Sequence, residues 1–296
     1  MPNVNNTPDQ DQPNANLTGG AWLLADLMLN IWALTIVKVL GLGYPTAQIV
    51  FLRASVGLMF MLPWIWKSRD KFFGIDQLQL HALRILFSTL ALTTSFFAIA
   101  RLPFALFTAV SFTRPIITMI LAMVFLNEIV AKPRWIAAAL AFVGVLIAVQ
   151  PGVTPFSWGL PAIFLTVLFG TSAIIVTRLL AGTPLVVMMT FYTAGLTILT
   201  PPFAWLTWSP IASGHILPLL AIGVFSQAAQ FCFLKAHGRA EAGFLAILGY
   251  LSLLLTTAIG YFVFNEVPST AFAIGASIIV AATAWITGSE RRRSRN

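Results

Sequence analysis

Three charged side chains, Asp26, Arg53 and Arg114, fall inside otherwise apolar runs of the sequence. A charge at membrane depth is costly unless it faces protein, water or a partner, so each marks a candidate for chemistry. A guanidinium keeps its charge and offers a two-pronged donor to carboxylate or phosphate. At helical rise, Arg53 and Arg114 lie about 12 and about 16 Å from the same end of their spans, which predicts a midplane site for the anionic group of a small molecule. The competing use is bonding to backbone carbonyls freed around Pro115, or pairing with Asp26. Asp26 stands four residues from Asn30, on one helix face. The two read as a proton-carrying carboxylate in a polar pocket or as a fixed counter-ion. Gln227 and Gln230, spaced i, i+3, and Tyr250 with Ser252 could wall the same cavity or bond between helices. Pro115 removes a backbone hydrogen bond within its span and is the candidate hinge.

The elements that must position these groups follow from composition. The chain of 296 residues is 58% hydrophobic and 9% charged, with a mean hydropathy of +0.89, which leaves too little polar surface for a water-soluble domain. Apolar runs bounded by Gly, Pro or charge predict ten helices near 20–41, 45–66, 82–101, 103–126, 134–150, 158–180, 184–206, 215–236, 242–264 and 269–288. Residues 1–18 read as a disordered cytoplasmic tail and 289–296 as a basic cytoplasmic tail. The lone Cys232 excludes an intrachain disulfide and reads as a packed residue. The formal charge of +8 is scattered over span ends rather than gathered into a nucleic-acid patch. Lys67, Arg69, Lys71, Lys132, Arg134, Arg178, Lys235, Arg239 and the C-terminal arginines collect on one side, with Lys38 and Arg101 on the other. This asymmetry predicts both termini in the cytoplasm.

The chain also repeats itself. Phe87-Ser88, Arg101 and Asn127-Glu128 recur at an offset of 138 as Phe225-Ser226, Arg239 and Asn265-Glu266. Ala91/Ala229, Ala98/Ala236, Thr118/Thr256, Ile136/Ile274 and Ala138/Ala276 fall in the same register. Lys38 aligns with Arg178 at an offset of 140, on the opposite predicted face. An odd number of spans per copy inverts the second copy, so the expected fold is all-α integral membrane, with ten transmembrane helices as two inverted five-helix repeats at 20–150 and 158–288.

Arg53, the Phe97 to Arg101 close of the third span, Pro115, Phe125-Leu126-Asn127-Glu128 and Trp135 to Gly144 together resemble the ten-helix, EamA-type members of the drug/metabolite transporter superfamily, over residues 20 to 288. The resemblance implies movement of amino acids, nucleotide-like compounds, vitamins or other small metabolites, inward or outward. It departs from the family pattern at Asn127 and Asn265, where Gly usually precedes Glu, at Leu253, which stands opposite Pro115, and at Arg114.

No HExxH, GxSxG or GxxxxGK[ST] pattern occurs, and His81, His215 and His237 lie at span ends. The expectation is therefore no enzyme, with no catalytic residue, metal or cofactor. The chain is expected to be a secondary transporter of small organic metabolites in the bacterial cytoplasmic (inner) membrane, with direction undecided. Its favoured cargo carries a carboxylate or phosphate: an amino acid, an organic anion or a vitamin such as a flavin. The alternatives are export of neutral or cationic amphipathic compounds and, further off, a polytopic membrane enzyme. Partners are the cargo, the bilayer, a coupled proton and a second copy seated on the Ala273, Ser277, Ala281 stripe, for which packing inside the bundle is the simpler use.

Overall fold

Apolar runs of this length can satisfy their backbone groups in lipid only by coiling. The computed structural model describes residues 12–293 apart from 74, 76, 115, 116, 118, 119, 122, 125–131, 151–156, 181, 238, 240–247 and 250. The helices among the described residues are α1 (Gln12–Leu40), α2 (Thr46–Lys67), α3 (Leu78–Ile99), α4 (Phe104–Ser111), α5 (Lys132–Val149), α6 (Gly159–Leu179), α7 (Leu185–Leu199), α8 (Pro201–Leu206), α9 (Ile216–His237), α10 (Leu251–Phe264) and α11 (Thr270–Arg293). Among the described residues, six helical stretches are long and apolar enough to cross a bilayer, and shorter apolar helices occupy 135–149, 251–264 and 270–282. Leu217, Leu254, Phe262 and Trp205 are among many large apolar side chains left exposed, as a lipid-facing surface requires. The chain is a multi-pass membrane protein.

Among the described residues the helices at the expected second, third, fifth, sixth and eighth spans begin and end within about four residues of expectation, and three differences elsewhere are informative. Residues 12–19 extend α1 into the segment expected to be a disordered tail, with Pro13 in the first turn, where its missing N–H is no loss. At the other terminus, α11 runs on through the expected basic tail as far as Arg293. The seventh span is interrupted at Thr200, because Pro201 and Pro202 begin a new helix, α8.

The dominant packing pairs are α1 with α9, α3 with α6, and α5 with α11; α2 packs on α7 and α9, and α4 on α10. Each of these contacts joins a helix before residue 150 to one after 157. The closest is the crossing of α5 and α11. A β-carbon on Gly144 would lie 2.7 Å from the Gly275 carbonyl oxygen, and one on Gly275 would lie 2.8 Å from the Ala148 nitrogen. Only paired glycines let the two backbones approach this far.

This crossing corrects the reading of the small-residue stripe. Ala273, Ser277 and Ala281 are exposed, whereas Gly275, Ile279 and Ala282 face the bundle and are buried. Both rows satisfy helical spacing, and the buried row is the one that meets α5. Many hydroxyls on the spans, including Thr35, Thr89, Thr93, Thr190 and Thr197, bond to the carbonyl four residues back, so they neutralise themselves in lipid.

Candidate functional site

The fourth span is broken where the charge sits. α4 stops at Ser111, and Phe112 and Thr113 close tighter turns, donating to Ala109 at 3.1 Å and Val110 at 3.0 Å. The described residues from Arg114 to Val124 are helical again. The break comes directly before Arg114, the residue preceding a proline, where helical backbone is disfavoured. Pro115 itself lies outside the described residues. Discontinuous helices with irregular backbone at membrane depth are tolerated where they line a cavity. Arg114 is exposed there, and one of its terminal nitrogens lies 3.9 Å from the place a β-carbon would take on Gly170, midway along α6.

Arg53 is half-buried on α2. A terminal nitrogen donates to the Tyr192 hydroxyl on α7 at 3.4 Å, and among the described residues its buried Nε has no hydrogen-bond partner and no carboxylate pairs with it. Tyr192 also lies beneath a second guanidinium, that of Arg84 on α3, at 5.6 Å from the ring centroid. Arg84 is buried and donates to Thr177 Oγ1 at 2.8 Å and to the Met188 carbonyl at 2.9 Å. One turn earlier His81 is 1% exposed, packs on the Phe191 ring at 4.5 Å, and has no partner for either ring nitrogen. Arg53, Arg84, Tyr192 and His81 thus form a positively charged, aromatic-flanked corner among α2, α3 and α7. Sequence reasoning missed Arg84 because the third span was drawn from residue 82, which made Arg84 an end residue; the helix begins at Leu78 and carries it inward.

The remaining candidates fall apart from this corner. Asp26 on α1 is 6% exposed, lies near enough to Cys232 on α9 to act on its thiol electrostatically, and has no ion-pair partner among the described residues. Asn30, one turn on, is exposed. Gln227 is committed to interhelical contacts: its amide nitrogen approaches the Met61 sulfur, and its oxygen accepts from Thr193 at 3.4 Å. Gln230 is half-buried on the same helix. Tyr250 lies outside the described residues, while Ser252 bonds to the Gly249 carbonyl. Among the described residues, no group of His, Cys, Asp and Glu is placed to hold a metal ion.

Guanidinium groups within the spans of a lipid-facing bundle, together with a broken fourth span, are features of a polytopic transporter. The chain belongs to the EamA-like transporter family, whose model matches residues 20–150 and again 157–288. A relative from Rickettsia conorii named as an S-adenosylmethionine uptake transporter is 29% identical over 280 residues, which cover 93% of this chain and 94% of that protein. A riboflavin transporter from Rhizobium johnstonii is 26% identical, covering 100% of this chain and 99% of its own length. A solved crystal structure shares the fold at a TM-score of 0.64 and 18% identity, over 95% of this chain and 99% of that one.

The family usually has Gly where this chain has Asn265. Asn265 takes a φ of 53°, in the left-handed region that glycine adopts freely and asparagine best among the others. The departure therefore keeps the backbone shape. Asn265→Gly is expected to leave thermal stability nearly unchanged, whereas Asn265→Val should cost roughly 1–2 kcal/mol, read as a lower unfolding midpoint in detergent.

Proposed function

We propose that this chain is a secondary carrier in the bacterial inner membrane, with both termini cytoplasmic, in which two inverted five-helix repeats rock about a midplane cavity. The packing supports the inversion. Under the offset of 138 the α1–α9 pair maps onto α6–α3, and the α5–α11 pair maps onto itself. The cargo carries a carboxylate or phosphate, held by Arg53 and Arg114. The observation that carries this is Arg53, a guanidinium within a span that, among the described residues, has no carboxylate partner and an unpartnered Nε. S-adenosylmethionine, named for the Rickettsia relative, bears an amino-acid carboxylate and a purine ring. Riboflavin, named for the Rhizobium relative, offers a flat ring without a carboxylate. The arginines favour the first chemistry, and the Phe191 and Tyr192 rings suit either.

The testing experiment is uptake by purified protein in liposomes of labelled carboxylated, neutral and cationic metabolites, S-adenosylmethionine and riboflavin among them. Saturable movement of carboxylate-bearing compounds is expected, and Arg53→Ala should weaken it. If only compounds without an anionic group move, at equal rates in Arg53→Ala and Arg114→Ala, the anion site is wrong.

Asp26 serves this cycle as the proton carrier. The absence of a basic partner among the described residues supports that role over a fixed counter-ion. Asp26→Asn should leave exchange of cargo between the two sides intact while removing the response of net transport to an imposed pH gradient. An undiminished response in liposomes would assign the proton elsewhere.

A further inference from the structure

We propose that Lys38, Glu266 and the amino end of α4 form a latch that holds one end of the bundle shut and must part for that end to open. The proposal rests on the transport reading above. Lys38, near the end of α1, pairs with Glu266 Oε1 at 2.9 Å and also donates to the carbonyls of Leu102 and Ile99. An ammonium has three donors, and this set engages all of them. The second carboxylate oxygen of Glu266 accepts the Phe104 N–H at 2.7 Å, so it stands where a capping side chain would stand at the start of α4. Both oxygens of Glu266 are therefore used as well.

The carboxylate is aimed by its own loop. Asn265 turns the chain in the left-handed region, and the Glu266 N–H bonds back to the Gly260 carbonyl at 2.9 Å. The carboxylate then passes over buried Gly260, whose β-carbon, if present, would sit 2.9 Å from Oε2. Any side chain at 260 would displace it.

The contact crosses the two halves: Lys38, Leu102 and Phe104 belong to the first, and Glu266 to the second. With 11% and 22% of their side chains exposed, the two charges are shielded when together. Once apart at the mouth of the bundle they are hydrated. An apolar seal would have no such compensation, so charged, fully saturated contacts suit a joint that must both hold and release. Two further hydrogen bonds at this end, Gln48 to Ser209 at 2.8 Å and Tyr44 to His215 at 2.8 Å, join α2 and the turn before it to the segment ahead of α9.

The experiment places nitroxides on exposed Leu42 and Val267, as Leu42→Cys and Val267→Cys in a Cys232→Ala chain, and measures their distance distribution by pulsed EPR in lipid nanodiscs. Glu266→Gln and Lys38→Met should each raise the ratio of long to short distances by roughly tenfold or more. Two independent breaks are used so that if one variant fails to fold, as judged by size exclusion, the other still decides. An unchanged distribution in a folded variant, with carboxylate transport intact, overturns the latch alone. A shifted distribution in a protein that moves none of the metabolites keeps the latch and overturns the transport reading.

Discussion

Arg114→Ala is expected to abolish cargo movement while the protein reaches the membrane at its normal level. Arg114 begins the second part of a broken span, with a terminal nitrogen 3.9 Å from the place a β-carbon would take on Gly170. Removing one partner of a desolvated, hydrogen-bonded charge pair costs about 2–5 kcal/mol, which corresponds to a loss in cargo affinity of tens to thousands of fold. Arg114→Lys keeps the charge but loses the planar fork, so it should recover only part of the rate. Initial rates of uptake into liposomes, measured over a range of cargo concentrations for both variants, read this directly. Transport by Arg114→Ala at unchanged affinity would remove Arg114 from the cargo site.

Gly275→Val is expected to be the most damaging single change to the fold. Its new β-carbon would fall 2.8 Å from the Ala148 nitrogen and 2.9 Å from the Ala148 β-carbon. These atoms belong to helix backbone and to the root of a side chain, so neither can swing aside. α5 and α11 must separate instead, at the upper end of the roughly 1–3 kcal/mol typical of overpacking, or beyond it. The unfolding midpoint in detergent and the monodisperse fraction after extraction should both drop sharply. Ser277→Val, two residues along on the exposed face, should stay within about 0.5 kcal/mol of the parent. Equal tolerance of the two substitutions would mean that α11 packs by its other face.

The membrane class and the six long apolar helices among the described residues were legible because lipid demands length and hydropathy, and both are written in composition. Which face of a span turns inward was not. The two small-residue rows of α11 satisfy the same spacing, and with apolar residues all round, the sequence holds no polar face to break the tie. Arg84 escaped for a related reason, since a charge near a span end looks like an anchor until the helix is seen to start earlier. The site residues divide along the same line. Arg53 and Arg114 stand out as single charges in apolar runs. Tyr192, which connects Arg53 to Arg84, is one of two adjacent aromatics on an apolar helix, and its role exists only in tertiary contact. The repeated Asn-Glu pair was visible as a pattern, but its partner Lys38 lies 228 residues away in sequence and carries no local signal.

The interleaving of the helices bears on how the protein is made. α1 rests on α9 and α3 on α6, so the first helices to leave the ribosome meet their partners only after the chain has passed residue 159 in one case and residue 216 in the other. The early spans must therefore wait in the bilayer, or beside the insertion machinery, with their inner faces unpaired. The first half has no finished interior of its own, and its maturation is an act of recognition between two incomplete bodies.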